Sequence, residues 1–179
     1  MEEEARTVSE SQTQIAQLMM PEDANPAGNV FGGVILKLID QAAGIVASRH
    51  THRNCVTASI DQVSFLNPAY VGNVVFVKAS LNYVGNTSME IGVRAEDECL
   101  LTGNRGYIAS AYLTYVALDE NDQPVKVPNL ILETAEQKRR WKEAEQRKKE
   151  RMRRLPKDYE RKQEGSCIQR PEKLKKCTE

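Results

Sequence analysis

Hydrophobic and polar positions along the chain fall into three regimes. Residues 7–20 alternate weakly, with Ile15, Leu18 and Met20 as the apolar members, which predicts a first strand leading into a loop. Residues 31–49 follow a helical pattern instead. Val34, Ile35, Leu38, Ile39, Ala42, Ala43, Ile45 and Val46 cover nearly the whole circumference, so the helix is expected to be enclosed rather than to lie on a surface. Four runs rich in β-branched and aromatic residues follow, at 55–66, 73–84, 88–98 and 105–118, and each reads as a strand. Asn67-Pro68, Gly85-Asn86 and Thr102-Gly103-Asn104 separate them as turns. One buried helix followed by strands at meander spacing predicts an α+β domain, with an antiparallel sheet curled around the helix. The alternation of a doubly wound sheet is absent, and no segment repeats.

The third regime begins after an exit loop at 121–128. Residues 133–155 are rich in Glu, Lys and Arg. Their apolar members (Ala135, Trp141, Ala144, Met152, Leu155) hold no stripe at helical period, which predicts a solvated helix extending from the domain. Past Pro156 the apolar content almost vanishes, a composition expected of a disordered tail. The chain thus divides into a domain at 8–128 and a charged extension at 129–179.

Charge sharpens that division. The formal balance is 25 Lys+Arg against 25 Asp+Glu, but residues 133–179 carry 17 against 10, and residues 1–132 carry the opposite excess. An acidic domain is joined to a basic tail. The tail reads first as a solvated extension or a contact between subunits; no aromatic interleaving supports nucleic acid, and anionic membrane is the other reading. With 179 residues the chain can bury a sizeable core. Its four cysteines (Cys55, Cys99, Cys167, Cys177) are scattered without a CxxC, which favours a reducing compartment and argues against a zinc ribbon. Residues 1–17 are acidic and polar, unlike a signal peptide, and no run approaches 18 apolar residues, so the cytoplasm is expected.

The candidate chemistry sits at the head of the enclosed helix. Residues 20–33 form a polar loop stiffened by Pro21 and Pro26 and ending in Gly32-Gly33. A glycine pair at a helix start offers bare N–H donors and the positive end of the dipole, which suits a carbonyl oxygen gaining charge. The same glycines also fit a tight turn with close packing. Asn25 can hold a carbonyl or a water through its amide, or cap a turn. Asp40 is the one acid in the helix; it either pairs with Lys37 on a surface or serves chemistry among Leu36, Leu38, Ile39 and Ala42. Other site types fail. No Lys-Ser/Thr completes a P-loop, the dinucleotide glycine spacing is absent, and there is no GxSxG. His50 and His52 read as a solvated helix end without a third metal ligand, and Cys55 and Cys99 as core positions. With no covalent nucleophile in view, activation of water by Asp40 is the simplest chemistry. Gly33 and Asp40 are seven residues apart, about 10 Å along the axis. Asp40 therefore does not reach its own glycine pair. Two such helices packed antiparallel about a two-fold axis would bring each Asp40 to the partner's Gly32-Gly33 and Asn25, with Gly44 permitting close approach.

Asn25 to Asp40, written N-x-x-G-x-x-x-G-G-x-x-L-x-x-x-D, resembles the active-site segment of hotdog-fold acyl-CoA thioesterases, in the acyl-CoA hydrolase group with cytosolic brain-type and bacterial members. Residues 57–68 (TASIDQVSFLNP) and 85–90 (GNTSME) resemble the second and third segments of that family, and the likeness covers residues 14–127. It implies the hotdog fold, one helix wrapped by a sheet, and hydrolysis of acyl-CoA to free acid and CoA. By position, Asn25 would orient the thioester carbonyl or the water. Asp40 of the partner chain would be base or nucleophile, and Gly32 or Gly33 would complete the oxyanion hole. Ser64, Phe65, Thr87 and Ser88 would border the CoA groove. Many members have arginine where this chain has Asn86, so Arg94 or Arg105 is the expected substitute for a phosphate contact. No metal or cofactor is implied beyond the CoA of the substrate, and no nucleic-acid partner. A single hotdog implies a homo-oligomer with the dimer as catalytic unit, and hexamers built as trimers of dimers are common in the family. Three rivals remain: a non-catalytic acyl-CoA sensor on the same scaffold, a hydratase with a His and an acid, and an interaction module centred on the basic tail. On the thioesterase reading, deleting the chain after Leu132 is expected to leave hydrolysis intact.

Overall fold

The computed structural model describes residues 5–154; Leu155, Cys167, Cys177 and the expected disordered tail past Pro156 lie outside the described residues. The elements are β1 (Arg6–Thr7), α1 (Val8–Ser11), β2 (Thr13–Leu18), a single 3-10 turn (Pro21–Asp23), α2 (Gly32–Thr51), β3 (Asn54–Phe65), β4 (Val74–Val84), β5 (Ser88–Glu98), β6 (Arg105–Leu118), β7 (Leu130–Ile131) and α3 (Ala135–Arg154). Five of the strands make one antiparallel sheet in the order β2-β4-β5-β6-β3, and β1 and β7 pair in parallel. The expected strand at 7–20 starts instead as the short helix α1. Glu10 accepts a hydrogen bond from the Thr7 amide at 2.7 Å and closes a capping box, so β2 begins only at Thr13.

Strand alternation sends one set of side chains to a common face. Val75, Val77, Ala79 and Leu81 of β4 meet Ile91, Val93 and Ala95 of β5 there, all buried with Ile35, Leu38, Ile39, Ala42, Ala43 and Val46 of α2. Each fully buried aliphatic side chain is worth about 1.5–3 kcal/mol, which fixes α2 to this inner face. All five strands of the sheet contact α2, so the sheet wraps the helix in the hotdog arrangement. At its end α2 stops on His52, in the left-handed region at φ 52°, whose amide bonds the Ser48 carbonyl at 2.8 Å.

Two further expectations need correction. First, α2 is not enclosed all round: Lys37, Gln41 and Ser48 are exposed, and a shallow groove runs past Gly44 and Ile45 to Ile15. The neighbouring strand β3 is a sheet edge, with Val56, Ile60 and Phe65 at 38%, 43% and 50% exposure. Second, α3 is not a solvated extension. It docks on the outer face of the sheet through a stripe at helical spacing, Arg140-Ala144-Arg147-Arg151. Arg140 donates to Ser80 Oγ at 3.3 Å, Trp141 packs on Tyr83 with ring centroids 4.5 Å apart, and Ala144 is fully buried. Arg147 holds Glu90, itself 1% exposed, through Nη2 to Oε1 at 2.7 Å and Nε to Oε2 at 3.3 Å. Its guanidinium also lies 3.8 Å over the Tyr112 ring. Arg151 pairs with Asp61 of β3. Because the contact stripe is mostly arginine, hydrophobic periodicity could not reveal it.

Candidate active site

The loop before α2 is a closed hairpin. Asn25-Pro26-Ala27-Gly28 is a turn sequence with Asn at its first position, Pro at the second and Gly at the fourth, and the Gly28 amide bonds the Asn25 carbonyl at 2.9 Å. Gly28 sits at φ 85°, where a side chain would be strained. Asn25 Oδ1 accepts from the Ala27 amide at 2.9 Å and the Asn29 amide at 3.2 Å. Its oxygen therefore caps the turn, while its Nδ2 makes no bond among the described residues. The Phe31 amide bonds the Asp23 carbonyl at 2.8 Å, which brings the hairpin onto the helix start.

At that start no described group accepts from the amides of Gly32 and Gly33, whereas Val34 turns back to the Phe31 carbonyl at 2.9 Å. Phe65, at the far end of β3, lies against Gly32: a Cβ on Gly32 would stand 3.5 Å from its ring. Gly33 is crowded by the Phe31 ring, which a Cβ would strike. The glycine pair thus forms an open patch of donors rimmed by two aromatic rings.

Asp40 stands two turns along α2 and is half-buried rather than sealed in apolar surroundings. Its Oδ1 accepts from Thr57 Oγ1 at 2.7 Å and from the Tyr115 hydroxyl at 2.7 Å. The same hydroxyl lies 2.8 Å from the Asp40 backbone carbonyl. Thr57 and Tyr115 are direct cross-strand partners on β3 and β6, both facing α2. Burial pushes the Tyr115 phenol far above its usual range, against a lowering hydrogen bond from Thr57, and the Asp40 carboxylate pushes it further up. It remains a neutral donor. Neither Thr57 nor Tyr115 was named from sequence as a site residue. A signal was present for the second: along β6, Leu113, Tyr115 and Ala117 share the core face, and a tyrosine in such a row needs a partner for its hydroxyl.

The expected groove residues divide. Phe65 reaches the glycine pair. Thr87 and Ser88 close the β4–β5 turn, where Ser88 pairs with Val116 and that in turn with Val56, next to Thr57. Ser64 and Arg94 lie elsewhere: both pair with Ser110 from opposite sides, on the outer face and toward the other end of the sheet. Arg94 is occupied there by Glu96, 2.8 Å away, and by the Tyr107 ring at 4.5 Å. Arg105 is likewise paired with Glu98 at 2.6 Å. Within one protomer the sheet separates both arginines from Asp40.

The histidines and cysteines also fall differently from expectation. His50 is 1% exposed, with Nε2 3.0 Å from the Pro128 carbonyl, so it is a strut under the exit loop rather than a solvated end. Cys55 is half-buried beside Thr51, and burial pushes its thiol up, away from the thiolate a nucleophile needs. Cys99 sits in the β5–β6 turn, not in the core, and hydrogen bonding from Thr102 lowers its pKa. Among the described residues no cluster of three or more His, Cys, Asp or Glu side chains comes together, and no helix is long and apolar enough to cross a membrane.

A hotdog domain with an acid on its central helix and open amides at the head of that helix is the architecture of a thioesterase. Residues 27–101 match the thioesterase superfamily model. The chain is 39% identical over 146 residues to the cytosolic acyl coenzyme A thioester hydrolase of Rattus norvegicus, covering 80% of this chain and 38% of that protein. It is 40% identical to an uncharacterized acyl-CoA thioester hydrolase of Bacillus subtilis, covering 75% and 78%. Among solved structures, a hexameric acyl-CoA thioesterase in its apo form superposes with TM-score 0.82 at 38% identity, covering 84% of this chain and 97% of the other. An acyl-CoA hydrolase of Staphylococcus aureus, solved with butyryl coenzyme A, coenzyme A and coenzyme A disulfide, superposes with TM-score 0.79 at 33% identity, covering 89% and 96%. The chain belongs to the acyl-CoA thioester hydrolases of the thioesterase superfamily. It spans under half the length of the mammalian relative it matches.

Proposed function

We propose that this protein hydrolyses acyl-CoA thioesters to a free acid and CoA, at a site shared between two copies of the chain. The carrying observation is the spacing along α2: Gly32 and Gly33 amides at the helix start with no acceptor among the described residues, and a held carboxylate at Asp40 about 10 Å further on. One chain presents the donors and its partner the acid. The open Lys37-Gln41-Ser48 side of α2 and the unpaired edge of β3 supply the surface on which a second copy would align. The Staphylococcus aureus hydrolase was also solved as alanine variants of an asparagine, of an aspartate fifteen residues on, and of a threonine seventeen further. Asn25, Asp40 and Thr57 repeat that spacing.

In this reading the thioester oxygen lies on the Gly32 or Gly33 amide, with Asn25 Nδ2 beside it or on the water. The partner's carboxylate takes a proton from water as its oxygen bonds to the carbonyl carbon. The tetrahedral oxyanion collapses, the C–S bond breaks, and the sulfur leaves as thiolate and takes up a proton. Direct attack by Asp40, giving a mixed anhydride that water then opens, uses the same atoms. Phe31 and Phe65 flank the glycine pair and would cover the acyl end.

Thiol release from acyl-CoA tests the assignment. Asn25→Ala and Asp40→Asn should each abolish most of it, and undiminished hydrolysis in both would remove the site from this place. A one-to-one mixture of the two variants should regain up to about a quarter of wild-type activity, because half of random dimers rebuild one of two sites. No recovery after proven subunit exchange overturns the shared site. Binding of acyl-CoA without thiol release by the wild type would make the protein a sensor instead.

A further inference from the structure

We infer that Tyr115 is a positioning residue for hydrolysis: together with Thr57 it holds Asp40 Oδ1 and leaves Oδ2 as the oxygen that meets water or the thioester carbon. The inference deepens the assignment of Asp40 above and rests on it.

A carboxylate oxygen has two lone-pair directions in the plane of the group. On Asp40 Oδ1 both are spoken for, by hydroxyls at 2.7 Å from Thr57 and 2.7 Å from Tyr115. No described group donates to Oδ2. The carboxyl torsion of an aspartate is soft and roughly two-fold, so without such a clamp the two oxygens would exchange roles freely. The Tyr115 oxygen also lies 2.8 Å from the backbone carbonyl of the same residue, so its one proton sits between the carboxylate and the carbonyl of Asp40. The anchor is rigid because Tyr115 is 3% exposed and β6 is held on both sides there, with Tyr115 paired to Met89 of β5 and Thr57 of β3. A catalytic acid held this way loses less freedom on reaching the transition state. As a bulk core residue Tyr115 would need only its ring; among the described residues the hydroxyl has no other partner than Asp40 and Thr57.

Tyr115→Phe removes the hydroxyl and keeps the ring packing. Steady-state kinetics should show kcat lowered by about 10- to 100-fold, with KM within about two-fold of wild type. In an Asp40→Asn background the same change should alter the residual rate by less than about two-fold, because Tyr115 acts through Asp40. Three results overturn the inference: an unchanged kcat while Asp40→Asn is inactive, a rise in KM at constant kcat, or an equal loss in both backgrounds. If Asp40→Asn itself hydrolyses at the wild-type rate, the assignment of Asp40 falls and takes Tyr115 with it. A fluorinated tyrosine at 115 gives a second measurement that keeps the ring and makes the hydroxyl more acidic. The titratable groups beside it are Asp40 and Cys55. Since a phenolate cannot donate, kcat should acquire an alkaline loss that wild type lacks, and an identical pH profile would count against the clamp.

Discussion

α2 and α3 are both 20 residues long and lie on opposite faces of one sheet, yet they are held there by different physics. α2 is fixed by aliphatic burial, with Ile39, Ala42, Ala43, Val46 and Ala47 fully excluded from water. α3 buries one alanine completely, packs Trp141 on Tyr83, and otherwise docks through arginines, of which Arg147 neutralises the buried Glu90. The proposed chemistry sits on the helix whose packing does not depend on charge. There a carboxylate held by two hydroxyls and, among the described residues, by no cation can be kept for reaction, since removing it leaves the apolar packing in place. On the outer face, charge holds the structure together, and removing one partner leaves the other stranded.

This contrast breaks most visibly at Asp40. Asp40→Asn is expected to lower hydrolysis by about 100- to 10,000-fold, the range of a general base, while the melting temperature stays within a few degrees of wild type. A collapse in stability with a modest loss of rate would make Asp40 a structural residue and erase the distinction. Arg147→Met is the opposite experiment. Burial pulls against the charge on Arg147, but the bond to Glu90 and its field outweigh it and raise the guanidinium pKa. Leaving Glu90 without its partner should cost about 3–5 kcal/mol in denaturant unfolding, with activity per folded molecule unchanged. A double change that also replaces Glu90 by an apolar residue should restore much of that loss.

The two helices also differ in how far they could be read from sequence. The periodicity of Ile35, Leu38, Ile39, Ala42 and Val46 located α2 to within two residues of its observed end at Thr51, because burial there is apolar and the pattern is its direct trace. The long strands were legible for the same reason. α3 was legible as a helix but not as a docked one, since arginine stems and a guanidinium over a ring leave no hydrophobic pattern. At the proposed site, the glycine pair, Asn25 and Asp40 are close in sequence, so local spacing groups them. Thr57 and Tyr115 reach Asp40 across 17 and 75 residues of chain, through a cross-strand register that local spacing does not encode. Arg94 illustrates the converse. The resemblance put it forward as a cation for phosphate in place of the missing arginine at 86, but strand parity puts it on the face opposite α2.

Removing α3 altogether sharpens the comparison. Truncation after Leu132 deletes Arg147 but at the same time opens Glu90 to water, so it avoids the stranded charge that Arg147→Met creates. What is lost is the Trp141 contact with Tyr83, the burial at Ala144, and the bonds of Arg140 to Ser80 and Arg151 to Asp61. Hydrolysis should persist in the truncated chain. The loss in unfolding free energy should be smaller than for Arg147→Met, about 2–3 kcal/mol from the apolar contact. If truncation is the more damaging change, α3 is held by apolar contact after all and the arginine stripe is secondary.

The smallest expected effect separates buried from exposed charge on that same outer face. Lys78 Nζ lies 2.7 Å from Glu96 and is 44% exposed, whereas the partners Glu90 and Arg147 are 1% and 24% exposed. The hydrogen bond from Lys78 holds the Glu96 carboxyl below its ordinary range, with Lys78 and Arg94 adding their fields. A lowered folded-state pKa means that this stabilisation is fully present above the unfolded value, about 4.3, and is lost as pH falls through the folded one. Lys78→Ala should therefore reduce stability by less than about 1 kcal/mol at neutral pH, an effect that salt weakens. The gap between wild type and variant should close on acidification below about pH 4, as the carboxylate that Lys78 favours becomes protonated in both. A loss as large as that of Arg147→Met, or one indifferent to salt, would mean that exposure does not divide the two pairs. The outer face would then have to be treated as a single charge network in which Lys78, Glu96 and Arg94 act with Glu90 and Arg147.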